Sequence, residues 1–228
     1  MFADTLSLTI PNPDHSDEEE RWVIIGESHR RRLLVVVRHG TDHQRASGGN
    51  IDTPEDVMTP KENGGSQEVL DAVFDRARDY ERRCTNCAQS TLAAVLDTLG
   101  LKADDVFRAA SGLADGIGLT GDGSCGALTG GVMALGLVHG RKREEFSDPF
   151  AAMKSYQLAG ELHRDFITRY GSCRCHEIQE RLMGRFFNLR DPQQLTEAME
   201  QGMMEHCSKV VGNSARKTLE LILREREE

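Results

Sequence analysis

From Leu70 to the C-terminus, apolar residues recur at the three- and four-residue spacing of helices. Leu70, Val73, Phe74, Ala77 and Tyr80 share one face, and Leu92, Val95, Leu96 and Leu99 share the next, closed by Gly100 as a C-terminal cap. Further helical faces fall in Asp104 to Gly112, Met133 to Leu137, Met153 to Tyr170 capped by Gly171, Glu177 to Met183, Leu195 to Met203, and Val210 to Leu223. No alternating pattern of useful length follows Leu70, so this part reads as all-α. Upstream the pattern differs. Two β-branched runs, Trp22 to Ile25 and Leu33 to Val37, flank a polar stretch holding Gly26 and predict a β-hairpin. Between the two regions, "RASGGN", "DTPEDVMTP" and "KENGGS" carry glycine pairs, prolines and few large apolar residues, the composition of a linker. The expected fold is mainly α, a multi-helix bundle with a glycine-rich loop and a short N-terminal β-hairpin appendage. The expected segments are 1–40 for the hairpin, 41–65 for the linker and 66–228 for the helical domain.

One stretch breaks the helical pattern. Gly112 to Gly140 holds 10 of the 22 glycines, a density that weakens helices and needs a reason. Either backbone approaches a ligand there or helices pack at close range. Gly126, Gly130, Ala134 and Gly136 would permit such packing in the segment after Cys125. The hexapeptide "GIGLTG", Gly116 to Gly121, matches the dinucleotide fingerprint letter for letter, but that motif needs a preceding strand and "VFRAASGLAD" looks helical. The better use of Gly116, Gly118, Gly121, Gly123 and Gly126 is a loop that wraps a bound group, with amides aimed at thiolate sulfur.

Composition narrows the partners. A formal charge of −9 argues against a surface built to hold nucleic-acid phosphates or acidic membranes. The N-terminus lacks the basic start and apolar run of a secretory signal, so a cytoplasmic protein is expected. The longest nearly uncharged apolar stretch, Cys125 to Val138, is shorter than the roughly 18–20 residues that span a bilayer. Six cysteines in a reducing compartment point to metal binding or redox chemistry in preference to structural disulfides, with ordinary buried thiols as the plain alternative.

The cysteine spacings allow several chemistries. Cys84 and Cys87 sit three apart at the start of a helix, where dipole and free amides favour a thiolate. A thioredoxin-like dithiol would need a βαβ setting that is missing here, and a zinc ribbon would need a second C-x-x-C where Cys173 and Cys175 form C-x-C. C-x-x-C-H is absent, so covalent haem is not expected. Four thiolates converging from different helices can hold an iron–sulfur cluster without one fixed spacing. Among the histidines, His139, His163, His176 and His206 lie nearest the thiols, and His176 and His206 each adjoin a cysteine. Met199, Met203 and Met204 read as core.

Four pieces together are specific: "NCAQSTLAAV", "RAASGLADGIGLTGDGSCGALTGGVMALGL", "YGSCRCHEI" and "HCSKVVGNSARKTLELIL". In order and separation they resemble the C-GCAxxG-C-C redox proteins from about Glu68 onward. The resemblance implies Cys87, Cys125, Cys175 and Cys207 as the family cysteines, with Cys84 and Cys173 as extras. Asn86 and Thr91 stand where the family pattern has glycine. A similar domain accompanies the haem-binding part of split-Soret cytochromes, where it is associated with an iron–sulfur centre, so the resemblance implies a cluster of unspecified nuclearity here. Residues 8–42 resemble a truncated fragment of BrnT-type ribonuclease toxins, too incomplete to assemble that active site.

The expected function is electron transfer through an iron–sulfur cluster to an unidentified protein donor or acceptor, with a homo-oligomer left open. The alternatives are thiol–disulfide exchange at Cys84/Cys87 or Cys173/Cys175, and a structural zinc module.

Overall fold

The computed structural model describes residues 7–11, 21–27, 33–39 and 65–227. The chain divides into two units, Met1–Asn50 and Ile51–Glu228. In the first, β1 (Ser7–Pro11), β2 (Arg21–Glu27) and β3 (Leu33–His39) form an antiparallel sheet in that order, with Ile10 opposite Val23 and Val23 opposite Val37. Residues 41–64 of the expected linker lie outside the described residues.

Among its described residues the second unit is built from helices joined by turns: α1 (Gly65–Cys84), α2 (Cys87–Leu99), α3 (Asp104–Ala109), α4 (Gly126–His139), α5 (Met153–Tyr170), α6 (Cys175–Met183), α7 (Pro192–Glu200) and α8 (Met203–Glu227). Among the described residues no helix is long and apolar enough to cross a membrane.

α2 forms the centre of the core because its sequence is apolar on nearly every side. Ala88, Leu92, Ala94, Val95, Leu96 and Leu99 are all buried, and each fully buried leucine or valine contributes roughly 1.5–3 kcal/mol. Its start is set by Asn86, whose side chain accepts the Gln89 N–H at 3.1 Å, and its end by Gly100 at φ +69°. α4 lies against α2, and glycine makes the approach possible: a Cβ on Gly130 would collide with the Ala88 carbonyl. Gly131 faces α8, where Thr218 and Ser214 occupy the space a side chain would need. Ala134 is fully buried, whereas Gly136, expected to serve the same contact, has open space around it.

Several helix boundaries differ from the expectation, α8 starting at Met203 and not at Val210 among them. The pattern from Leu195 to Met203 is broken at Gly202, whose φ of +78° ends α7 and lets Met203 begin α8. The Asp104–Gly112 helix stops at Ala109 and passes into a 3-10 turn, Ala110–Leu113. Met203 is indeed buried, but in a small cluster with Phe187 and Ala198 separate from the main core, and Met199 is partly exposed.

Candidate functional site

Helix starts bring the cysteines together. Cys87 is the first residue of α2, Cys125 caps α4, Cys175 is the first residue of α6, and Cys207 lies in the second turn of α8. A short bridge between Ser124 and Arg174 ties two of these starts to each other: Cys125 N–H donates to Cys173 C=O at 2.7 Å, and Cys175 N–H to Gly123 C=O at 3.1 Å. All four sulfur-bearing residues line one cavity of about 230 Å³.

Three of the thiols form a row. The Cys125 thiol interacts with those of Cys87 and Cys175 on either side, and the Cys175 thiol donates onward to Asp115 Oδ1 at 3.0 Å. Gln179 Nε2 donates to the same oxygen at 2.6 Å, while Gln179 Oε1 accepts the Phe187 N–H at 3.2 Å. The Cys125 thiol and burial push Cys87 well above the usual thiol range; the Cys175 thiol and burial do the same to Cys125. Cys175 is drawn down by Cys125, but burial and Asp115 outweigh it, and burial pushes Cys207 far up. All four are therefore neutral thiols at pH 7 until something binds them; coordination to a metal would deprotonate them.

Glycine's role differs from the one expected. Asp115, Gly116, Ile117, Gly118 and Leu119 form a continuous left-handed run, φ 46°, 68°, 68°, 59° and 62°. A left-handed conformation costs a non-glycine residue about 1–2 kcal/mol, and three of these five are not glycine. The amides of Gly118, Gly121 and Gly123 donate to the carbonyls of Gly112, Asp115 and Gly116, so they are engaged inside the loop and are not aimed at sulfur. The loop presents carbonyls instead, with Gly121 and Gly123 accepting from the first amides of α6. Gly116, Gly118, Gly121 and Gly123 thus shape the turn without forming a cavity wall. Gly126 acts differently, because a Cβ there would collide with Cys87 Sγ.

The two extra cysteines stand apart from the cavity. Cys84 is exposed at the end of α1, and Cys173 contributes its carbonyl while its thiol lies outside the wall. His206 lines the cavity; His176 does not, being stacked on Phe186 with Nε2 2.9 Å from Glu180. His139 and His163 lie elsewhere on α4 and α5.

Sequence reasoning passed over Glu81, Asp115 and Gln179, all of which line the cavity. Glu81 is 3% exposed and Asp115 8%, and Glu81 Oε2 and Asp115 Oδ2 have no hydrogen-bond partner. Glu81 carried a readable signal: it continues the Val73–Ala77 stripe of α1, where a carboxylate interrupts an apolar face. Among the described residues no three His, Cys, Asp or Glu side chains surround a single point as one metal ion requires. The rest of the lining is largely apolar, with Met183, Leu189 and Met203 from the smaller cluster beside Leu182, Leu195 and Met199.

The chain matches a family model described as "Putative redox-active protein (C_GCAxxG_C_C)" over residues 85–221, about 60% of its length. No curated protein and no solved structure matches it.

Proposed function

Because the chain belongs to the C_GCAxxG_C_C family of redox-active proteins, we propose that its four-thiol cavity holds an iron–sulfur cluster and that the protein transfers electrons to or from a protein partner. The observation that carries this reading is the meeting of Cys87, Cys125, Cys175 and Cys207, spread over 121 positions of sequence, around one cavity. The donor set fits the group: four sulfurs, unpartnered polar atoms beside them, and a glycine that leaves room for one of the sulfurs.

An iron–sulfur cluster, when bound, supplies a one-electron carrier. The protein's residues supply its surroundings. The starts of α2, α4 and α6 place the positive ends of their dipoles against Cys87, Cys125 and Cys175 and favour the anionic form that binds metal. The methionine and leucine wall excludes water and lowers the local dielectric, which with hydrogen bonds to sulfur sets a cluster's potential.

The other two chemistries draw less support. Thiol–disulfide exchange needs an accessible thiolate, whereas Cys125 and Cys175 are buried, their neighbour Cys87 is pushed towards the neutral thiol, and Cys84, the exposed one, is outside the cavity. A single zinc ion needs donors around one point, and the described residues offer no such group.

The test is purification without oxygen followed by iron and sulfide analysis, visible absorption and electron paramagnetic resonance. Bound iron and sulfide in the wild type, lost in Cys125→Ala and kept in Cys84→Ala, is the expected result. Colourless wild-type protein without iron rejects the reading.

A further inference from the structure

Two carboxylates in the cavity are unexplained by a centre held by sulfur alone. Asp115 and Glu81 are each more than nine-tenths buried, and each has one oxygen without a partner. A buried acceptor left unsatisfied costs about 1–3 kcal/mol, and more when charged, so something must normally face these atoms. Among the described residues that line the cavity there is no Lys or Arg, and His206 is the one group able to carry positive charge.

We propose that Asp115 and Glu81 are oxygen donors to the metal centre, which is therefore a mixed thiolate–carboxylate site; this rests on the cavity being a metal site. Asp115 makes the stronger case. Its Oδ1 is pinned by Gln179 at 2.6 Å and by the Cys175 thiol at 3.0 Å, which leaves Oδ2 as the free donor. When Cys175 binds metal its proton leaves, and sulfur and carboxylate then face each other as two anions that share only the Gln179 amide, 2.6 Å from Asp115 Oδ1 and 3.6 Å from Cys175 Sγ. A cation bound by both removes that repulsion and supplies the partner that Oδ2 lacks. The left-handed backbone at Asp115, held against its conformational cost, is what delivers the carboxylate to this place.

The donor set also selects the metal. Thiolates prefer soft or borderline ions and carboxylates prefer harder ones, so the combination suits iron and disfavours copper(I). With up to six anionic donors and no Lys or Arg beside them, the site calls for a multiply charged metal group.

Mössbauer spectroscopy on full-length protein, purified anaerobically from cells grown with iron-57, decides the matter. The wild type should show an iron component with the larger isomer shift of oxygen ligation beside sulfur-ligated iron. Asp115→Asn should lose that component and release iron to a chelator at least about 10-fold more readily, with Glu81→Gln changing it in the same direction. Asn keeps the shape of Asp and tolerates the φ of +46°, so circular dichroism should be unchanged. A wild-type spectrum in which every iron is sulfur-ligated overturns this inference and leaves the cluster reading standing. Absence of iron from the wild type overturns both.

Discussion

The two walls of the cavity are built by opposite means. On one side, Cys87, Cys125 and Cys175 sit at helix starts; those of α4 and α6 are bonded backbone to backbone, and Cys87 and Cys125 pack with the main core. On the other, Cys207 packs with Met183, Leu189 and Met204 on the three-residue cluster of Phe187, Ala198 and Met203, and Leu195 and Met199 remain partly exposed. The first wall is polar and fixed; the second is apolar and thinly supported. The difference assigns their roles: the fixed wall determines what is bound, and the apolar wall determines how dry the bound group is and where the cavity can open.

If that division is right, sulfur losses from the two walls are unequal. Cys125→Ala removes the middle thiol of the row and should abolish iron and sulfide incorporation. Cys207→Ser, in the wall able to readjust, should leave a reduced but measurable content. Equal loss in both variants would show that the walls contribute alike.

A methyl group tests the same division without touching sulfur. Gly126→Ala drives a Cβ into Cys87 Sγ and against backbone atoms 3.0 Å away, at Ala88 N and Leu113 O, so iron content should fall sharply. The strain of such overpacking is usually about 1–3 kcal/mol. Gly136→Ala, on the same helix with open space around it, should instead stabilise the protein by roughly 0.5–1 kcal/mol and keep the iron. Urea midpoints and iron analysis on the pair separate the two outcomes.

On the apolar side, Met203→Ala should lower stability by about 2 kcal/mol, the small end of the usual range, because so small a cluster can collapse into the gap. Its iron should become more accessible to a chelator. Unchanged chelator access would mean that this wall does not seal the cavity.

How much of this could be read from sequence follows the same line. α5, Met153–Tyr170 with Gly171 left-handed at φ +73°, has the bounds its periodicity predicted, because its apolar stripe and its cap point to one answer. The pattern assigns Met203 to the face of α7 and starts α8 only at Val210, because the apolar spacing runs through Gly202 and only the backbone there reveals the break. The Gly116–Gly121 motif suggested free amides, yet whether an amide is free depends on which carbonyls the turn brings near it, and letters do not carry that. Asp115 was invisible for a similar reason, being one acid in a polar-looking loop, whereas Glu81 on an apolar stripe could have been flagged.

Glu81 provides the most discriminating test. Burial, partly opposed by Ser90 and reinforced by Asp115, pushes its carboxyl up to about 7 from an ordinary value of 4.5. Between those two pH values the folded metal-free chain holds a proton that the unfolded chain releases, so this group lowers stability as pH rises through the window. The full penalty stands above pH 7 and vanishes below 4.5; its ceiling is about 3 kcal/mol. Metal-free Glu81→Gln should accordingly be more stable than the wild type at pH 8 and no different at pH 4, read from urea midpoints. In the iron-loaded protein the sign should reverse, because the ionised carboxylate then has a cation to face and glutamine does not. A variant that is stabilised equally with and without iron would show that Glu81 never faces the metal, and would return the carboxylate to the category of ordinary buried strain on the fixed wall.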